Sequence, residues 1–310
     1  MSAACLLCGS TDLRRLAALD PQVLRVAYRD TYDVEITLPP LDNIEYLLCT
    51  SCDLRFFLPP VAGPAEFYRQ LQKIPWYYRD EKAEYDIAAW HIGPADAVLE
   101  VGAGKGVFAR HIRCRSYAGL ETSPDAVAIA RGEGVDLRQE DLQTHSSRNP
   151  GRYDVVCAFQ VLEHVPDPLS FLQSACGALR SRGRLIVAVP SEDSFASIDF
   201  WDVLNMPPHH VTRWSDRSLR SAARLVRLDT VAIEHEPLPD RDVHWYVKTM
   251  TEYGMALRLG HEPTLLDPYM RRWLIRRGSK LAASLLRRAM RHAALRPVGH
   301  AVIAVYQKES

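Results

Sequence analysis

Val98-Leu99-Glu100-Val101-Gly102-Ala103-Gly104-Lys105-Gly106 is an apolar run that enters a glycine-rich turn. The run predicts a buried strand. The turn predicts a backbone that bends sharply and comes close to a ligand, with a helix opening from it over Val107 to Arg113. A second apolar strand, Tyr117-Ala118-Gly119-Leu120, ends at Glu121, where a carboxylate suits the two hydroxyls of a ribose. Glycines alone are common in loops. The order strand, turn, helix, strand, acid separates this segment from a plain βα turn, which is the competing reading.

The pattern is E-x-G-x-G-x-G, whereas a dinucleotide site uses G-x-G-x-x-G to hold a pyrophosphate. Glu100, at the carboxyl end of the strand, can hold a cationic or ammonium-bearing ligand directly or through water. The segment resembles motif I of the class I S-adenosylmethionine (SAM)-dependent methyltransferases, and the resemblance continues in order. Gly102, Gly104 and Gly106 match the cofactor loop, Glu121 the ribose-binding acid, and Gln139-Glu140-Asp141-Leu142 the adenine-binding motif. Tyr153 to Gln160 match the fourth strand, which brings Phe159 and Gln160 to the cofactor. Val161 to Pro168 match the segment after it, and Gly183 to Pro190 the fifth strand. The resemblance runs from about Trp76 to Lys308. It implies a Rossmann-like α/β sheet with helices on both faces, SAM as cofactor, and methyl transfer as the reaction. In related enzymes the region of Tyr77, Tyr78 and Lys82 covers SAM, and an aromatic such as Tyr78 can face the sulfonium. The alternative there is a helix packed on the sheet edge.

Composition fits a globular enzyme. The 310 residues are 47% hydrophobic and 25% charged, enough for one large domain and a small one. Lys+Arg and Asp+Glu both number 38, so no net charge draws the chain toward nucleic acid or an acidic membrane. The chain opens without a basic region followed by a long apolar one, and no apolar run is long enough to span a bilayer. A cytoplasmic protein is expected.

Cys5-Leu6-Leu7-Cys8 and Cys49-Thr50-Ser51-Cys52 form a paired C-x-x-C set. Each pair places two thiolates on one tight knuckle, and two knuckles make a tetrahedral site, so a structural zinc is expected at Cys5, Cys8, Cys49 and Cys52. Disulfides and a redox pair are the alternatives. Cys114, Cys157 and Cys176 stand alone, on predicted helices and a strand, and read as buried, unreactive thiols.

Residues 1–60 read as a zinc-ribbon-like module with strands near Val23–Tyr28, Asp33–Leu38 and Asn43–Leu48, punctuated at its end by Pro59 and Pro60. Residues 61–95 read as a helical linker or lid, with helices near Ala65–Leu71 and Asp80–Trp90. Residues 96–310 read as the SAM-dependent domain. Its last two strands are expected at Thr230–His235 and Ala301–Gln307, with a helical insertion, 236–299, between them. Within it Arg271, Arg272, Arg276, Arg277, Lys280, Arg287, Arg288, Arg291 and Arg296 occur with no acid between them, beside Met270, Leu274, Leu281 and Leu285 at helical spacing. A basic amphipathic helix of this kind meets a membrane surface or an anionic substrate. The favoured reading is a lid helix with a solvated basic face.

The SAM methyl is already activated by its sulfonium, so a hydroxyl acceptor needs alignment and a base. Candidate bases lie after the fourth and fifth strands: His164, next to Glu163, and His209 and His210 in Asn205-Met206-Pro207-Pro208-His209-His210. The plainer reading is that these imidazoles brace their loops. Glu163-His164 also resembles the E-x-x-E-H motif of the quinone-ring O-methyltransferases, which is associated with a divalent metal. Gln160 stands where the first glutamate would be, so catalytic magnesium is not expected. The chain is most similar to bacterial methyltransferases that join a C-x-x-C module to this domain and carry the P-P-H-H loop. That resemblance implies a small-molecule or glycan acceptor, methylated on oxygen. An RNA base methyltransferase is the second reading, but residues 1–60 hold eight acids against five arginines, the wrong sign for RNA. A SAM-binding interaction protein without activity is the third.

Overall fold

The computed structural model describes residues 3–74, 77, 82–267 and 296–310. Tyr78 and the basic run from Arg271 to Arg291 lie outside the described residues; Arg296 is inside them, paired with Asp240.

The sheet predicted from the glycine turn is present, seven strands in the order β10-β11-β8-β7-β4-β5-β6. Strands β4 (Ala97–Val101), β5 (Ser116–Leu120), β6 (Leu137–Arg138), β7 (Tyr153–Phe159) and β8 (Leu179–Pro190) are parallel. β10 (Leu228–Pro237) and β11 (Val298–Lys308) are antiparallel to each other, and β11 is antiparallel to β8. Successive residues of each strand enter opposite apolar layers, as strand geometry requires. Leu99, Val101, Val156, Ala158, Val187 and Tyr306 pack on the side of α6 (Pro168–Ala178) and α7 (Asp216–Leu225). Val98, Val155, Cys157, Ile186 and Val305 pack on the side of α3 (Ala83–Ala89). Both faces are covered, which is why the strands read as continuous apolar runs. α4 (Pro124–Gly132) and α5 (Leu142–Arg148) complete the helical layers.

The helix expected over Val107–Arg113 is a single 3-10 turn, Phe108–Arg110. The chain has too few residues for more. Arg115 N–H already donates to Asp96 O at the foot of β4, 2.8 Å away. After the five-residue glycine turn, eight residues remain to run back along a strand of about 16 Å, where an α-helix would cover only about 12 Å. Cys114 therefore lies in an irregular connection; it is partly buried, like Cys176 on α6, whereas Cys157 on β7 is fully buried.

The N-terminal region departs further from expectation. Strands β1 (Leu13–Leu19), β2 (Ile44–Cys49) and β3 (Arg55–Leu58) form an antiparallel sheet, joined at its edge by β9 (Thr212–Arg213) from beyond β8. Of the three expected strands, only the one near Asn43–Leu48 forms. Val23–Tyr28 lies in α1 (Pro21–Tyr32), capped by Asp20, whose Oδ1 accepts from Gln22 N–H at 2.7 Å. Leu24, Ala27 and Tyr28 are buried at helical spacing, while Val23 and Val26 face out. Val34, Ile36 and Leu38 do alternate into the core, but the segment meets no ladder partner and remains irregular. α2 (Ala65–Leu71) falls where expected. The 236–299 insertion contributes α8 (Val243–Arg258) among the described residues. No helix among the described residues is long and apolar enough to cross a membrane.

Candidate functional site

The site grows from the place where β4 is flanked by β5 on one side and β7 on the other, the switch point of the sheet. Gly102 sits at φ 69° and Gly104 at φ 54°, left-handed conformations that favour glycine. A Cβ on Gly102 would meet Val161 Cγ2 at 2.5 Å, so the residue cannot be enlarged without moving that side chain. Glu121, at the tip of β5, gathers three backbone donors. Its Oε2 accepts from Gly104 N–H at 2.8 Å, and its Oε1 from Thr122 N–H at 2.7 Å and Ser123 N–H at 2.9 Å. Gln160, at the tip of β7, is held at φ 57°, a costly conformation for a non-glycine residue. Its amide donates to Glu84 Oε1 at 3.3 Å.

These tips open into one cavity of about 1110 Å³. Gly102, Gly104, Glu121, Phe159 and Gln160 are on its lining, and so are His164, His209 and His210, with Tyr68 of α2, Tyr77 and Lys82. Four expected cofactor residues are not on the lining. Gly106 (φ 72°) lies behind the turn, against Val135. Asp141 caps α5, its two oxygens accepting from Thr144 N–H and Oγ1 at 2.8 and 2.7 Å, and Leu142 is buried beside it. Glu100 is buried within the sheet layer, where the Tyr117 hydroxyl donates to it. Burial pushes the Glu100 carboxyl up to about 8, against the opposing pull of that hydrogen bond. In this structure Glu100 is bonded within the core and is not on the cavity lining.

The histidines come from two loops sewn together. Val211 N–H donates to Glu163 O at 2.8 Å, and His209 and His210 N–H both donate to Met206 O at 3.0 and 3.1 Å. The N-terminal region supports the second loop from beneath. Tyr28 Oη donates to the same Met206 O at 2.9 Å, Gly63 N–H to Pro208 O at 2.8 Å, and Phe57 N–H to Val211 O at 3.0 Å. Tyr28 is 178 residues from Met206, and no local sequence signal marks that contact. The His209 and His210 rings stack with centroids 4.5 Å apart, and the His164 ring meets them edge-on at 4.5 Å from His209 and 4.9 Å from His210. Burial lowers all three, His164 to about 4 and the other two well below their ordinary value, with neighbouring imidazoles adding to the effect at His209 and His210. The three are thus neutral near pH 7. Glu163 is 1% exposed, and neither of its carboxylate oxygens meets a hydrogen-bond donor among the described residues. Burial pushes it up to about 8.

The four N-terminal cysteines also converge. Their sulfurs lie within 4.8 Å of one another, with Cys5–Cys52 at 3.6 Å and Cys8–Cys49 at 3.5 Å, too far for disulfides. A hydrogen bond from Cys52 pulls Cys5 down to about 5, while burial pushes Cys8 up to about 11. The apolar cluster holding Cys5, Cys49 and Cys52 is continuous with Val187, Trp214 and Tyr306 of the large domain.

Comparisons with known proteins agree with this architecture. A family model described as a methyltransferase domain matches residues 76–232, just over half of the chain. A ubiquinone biosynthesis O-methyltransferase from Pectobacterium carotovorum is 26% identical over 155 residues, covering 47% of this chain and 63% of the relative. The protein of the same name from Aeromonas salmonicida is 30% identical over 99 residues, covering 29% and 42%. The chain thus spans less than two thirds of the length of these relatives. The crystal structure of a SAM dependent methyltransferase from Archaeoglobus fulgidus shares the fold, with a TM-score of 0.50 over 78% of this chain and 100% of that one, at 14% identity.

Proposed function

The chain belongs to the methyltransferase-domain family, and from that premise we propose that it transfers the methyl group of SAM to an oxygen of a small-molecule or glycan acceptor. The observation that carries the reading is a single cavity running from the glycine turn and Glu121 to the three histidines. Pockets for one drug-sized ligand run to about 1,000 Å³, so a space of this size suits a cofactor and an acceptor side by side. Gly102, Gly104, Glu121, Phe159 and Gln160 would hold SAM. Lys82, which lies over the Tyr85 ring at 5.4 Å, and Tyr77 also line the cavity.

The chemistry asks little of the protein beyond alignment. The acceptor hydroxyl oxygen forms the new bond to the methyl carbon, and the electrons of the old carbon–sulfur bond stay on sulfur. The hydroxyl proton leaves at the histidine cluster, whose neutral imidazoles suit its removal. Oxygen as the methylated atom is supported by the name shared by the relatives above. The acid excess of residues 1–60 disfavours an RNA acceptor.

A structural zinc at Cys5, Cys8, Cys49 and Cys52 belongs to the same reading. Four thiolates at about 2.3 Å from a tetrahedral ion would stand about 3.8 Å apart, close to the observed sulfur separations. Its place in the chain's workings is to brace the N-terminal sheet, which carries the histidine loop.

Calorimetric titration of the purified protein with SAM tests the function directly, followed by methyl transfer to a panel of hydroxylated small molecules. Wild-type protein that binds no SAM sinks the reading.

A further inference from the structure

We infer that His164, His209, His210 and Glu163 form a second metal site, for a divalent transition ion of the zinc class, in the acceptor half of the cavity. Each histidine offers a ring nitrogen, and these lie within 4.8 Å of one another. The orientation of the rings is the stronger argument. His164 Nδ1 faces His209 O at 2.5 Å, His209 Nδ1 faces Leu204 O at 2.7 Å, and His210 Nδ1 faces Asn205 Oδ1 at 3.0 Å. A carbonyl oxygen only accepts, so each Nδ1 carries the proton and each Nε2 keeps its lone pair. Fixing the tautomer through a carbonyl behind the ring is how metal-bound histidines are oriented. The His209 and His210 rings are stacked and the His164 ring meets both edge-on, which gathers three Nε2 lone pairs in one buried pocket.

Glu163 would supply the charge once an ion displaced its proton. Its Oε1 is 3.8 Å from His164 Nε2 and 4.0 Å from His210 Nε2. Two ligands of a tetrahedral zinc are about 3.4 Å apart, so a small closure of the rings would bring them to one ion. A buried carboxylate with no donor is costly, and a cation at this point relieves it. Tyr77 Oη now donates to His209 Nε2 at 2.8 Å and would have to yield that nitrogen. The donor set is imidazole-rich, which suits zinc, cobalt, nickel or iron and not magnesium. It draws on the Met206–His210 loop, not on a second carboxylate at position 160. An ion here would take up the imidazole lone pairs and would favour loss of the acceptor proton to solvent by Lewis-acid contact with the oxygen, in place of a histidine base, a consequence that rests on the methyl-transfer reading. The site itself does not rest on it.

The test is metal stoichiometry on the full chain. Reconstituted with Zn(II) and desalted, wild-type protein is expected to keep about two equivalents, one at the cysteines and one here. The H164A/H210A double variant should keep about one. X-ray absorption at the zinc edge of the wild type guards against a variant that fails to fold. Nitrogen and oxygen scatterers in addition to the sulfur shell support the site; a sulfur-only shell overturns it. So does a second equivalent that persists in a folded double variant. SAM titration on the same preparations is read separately, so loss of metal binding and loss of the methyl-transfer reading remain distinct.

Discussion

Gly104 and Glu121 lie 17 residues apart on neighbouring strand tips, joined by a 2.8 Å hydrogen bond from the glycine N–H to the carboxylate. The acid that faces the cavity is therefore also what holds the glycine turn in shape. With Thr122 and Ser123 donating to its other oxygen, Glu121 is a three-way backbone clamp. Its loss would disturb the turn as well as the SAM contact proposed for it.

Glu121→Ala is accordingly expected to weaken SAM binding by ~1–3 kcal/mol through lost charged hydrogen bonds. Isothermal calorimetry reads this. Unchanged affinity would separate Glu121 from the cofactor altogether.

Replacement of His164 or His210 by alanine should lower methyl transfer by roughly 10²–10⁴-fold while SAM affinity stays near normal. Initial rates at saturating SAM, alongside calorimetry, make the comparison. A variant with wild-type turnover would remove that residue from the chemistry. A parallel fall in SAM affinity would assign it to the cofactor pocket.

If the proposed zinc is bound at the cysteines, Cys49→Ser should release it and lower the Tm of the chain by roughly 5 °C or more. The fall should come as one transition, because the cysteine cluster shares its apolar packing with Val187, Trp214 and Tyr306. Scanning calorimetry that shows an early, separate transition with the main peak unmoved would contradict this shared packing.

Glu100 gives a pH signature. Its folded-state carboxyl sits at about 8, raised by burial from an ordinary 4.5. Between these values the folded chain holds a proton that the unfolded chain has released, so stability falls as pH rises from about 4.5 to 8. Glu100→Gln keeps an acceptor for the Tyr117 hydroxyl and removes the titration. The variant should match wild type near pH 4.5 and exceed it at pH 8 by an amount on the order of a few kcal/mol, each pKa step being about 1.4 kcal/mol. Denaturant melts across this range check the sign. A variant less stable than wild type at pH 8 would show that the buried carboxylate is compensated.

Much of the large domain was legible because its signals are local. A strand buried on both faces must read as an apolar run, so β4, β5, β7 and β8 announce themselves in Val98–Val101, Tyr117–Leu120, Tyr153–Phe159 and Leu185–Val189. The left-handed turn needs its glycines wherever it is placed. The C-x-x-C pairs and the histidine pair were likewise visible as candidates, since metal ligands and bases are few residue types.

What the sequence did not determine depended on distance. The run at Val23–Tyr28 fits a strand or a helix until the partner of Leu24, Ala27 and Tyr28 is known, and only the packed core decides that period. The missing helix after Gly106 is a matter of how far the chain must travel back to Asp96, a length set by the neighbouring strands. Glu100 and Asp141 carry motif positions, yet Tyr117 and Thr144 engage them, because a carboxylate bonds the nearest donors its surroundings provide. The convergence of Glu163, His164, His209 and His210 is the furthest of these from the sequence. Two loops more than 40 residues apart meet only because β9 pairs with β3 and Tyr28 seizes Met206, and those long-range contacts exist in the folded chain alone.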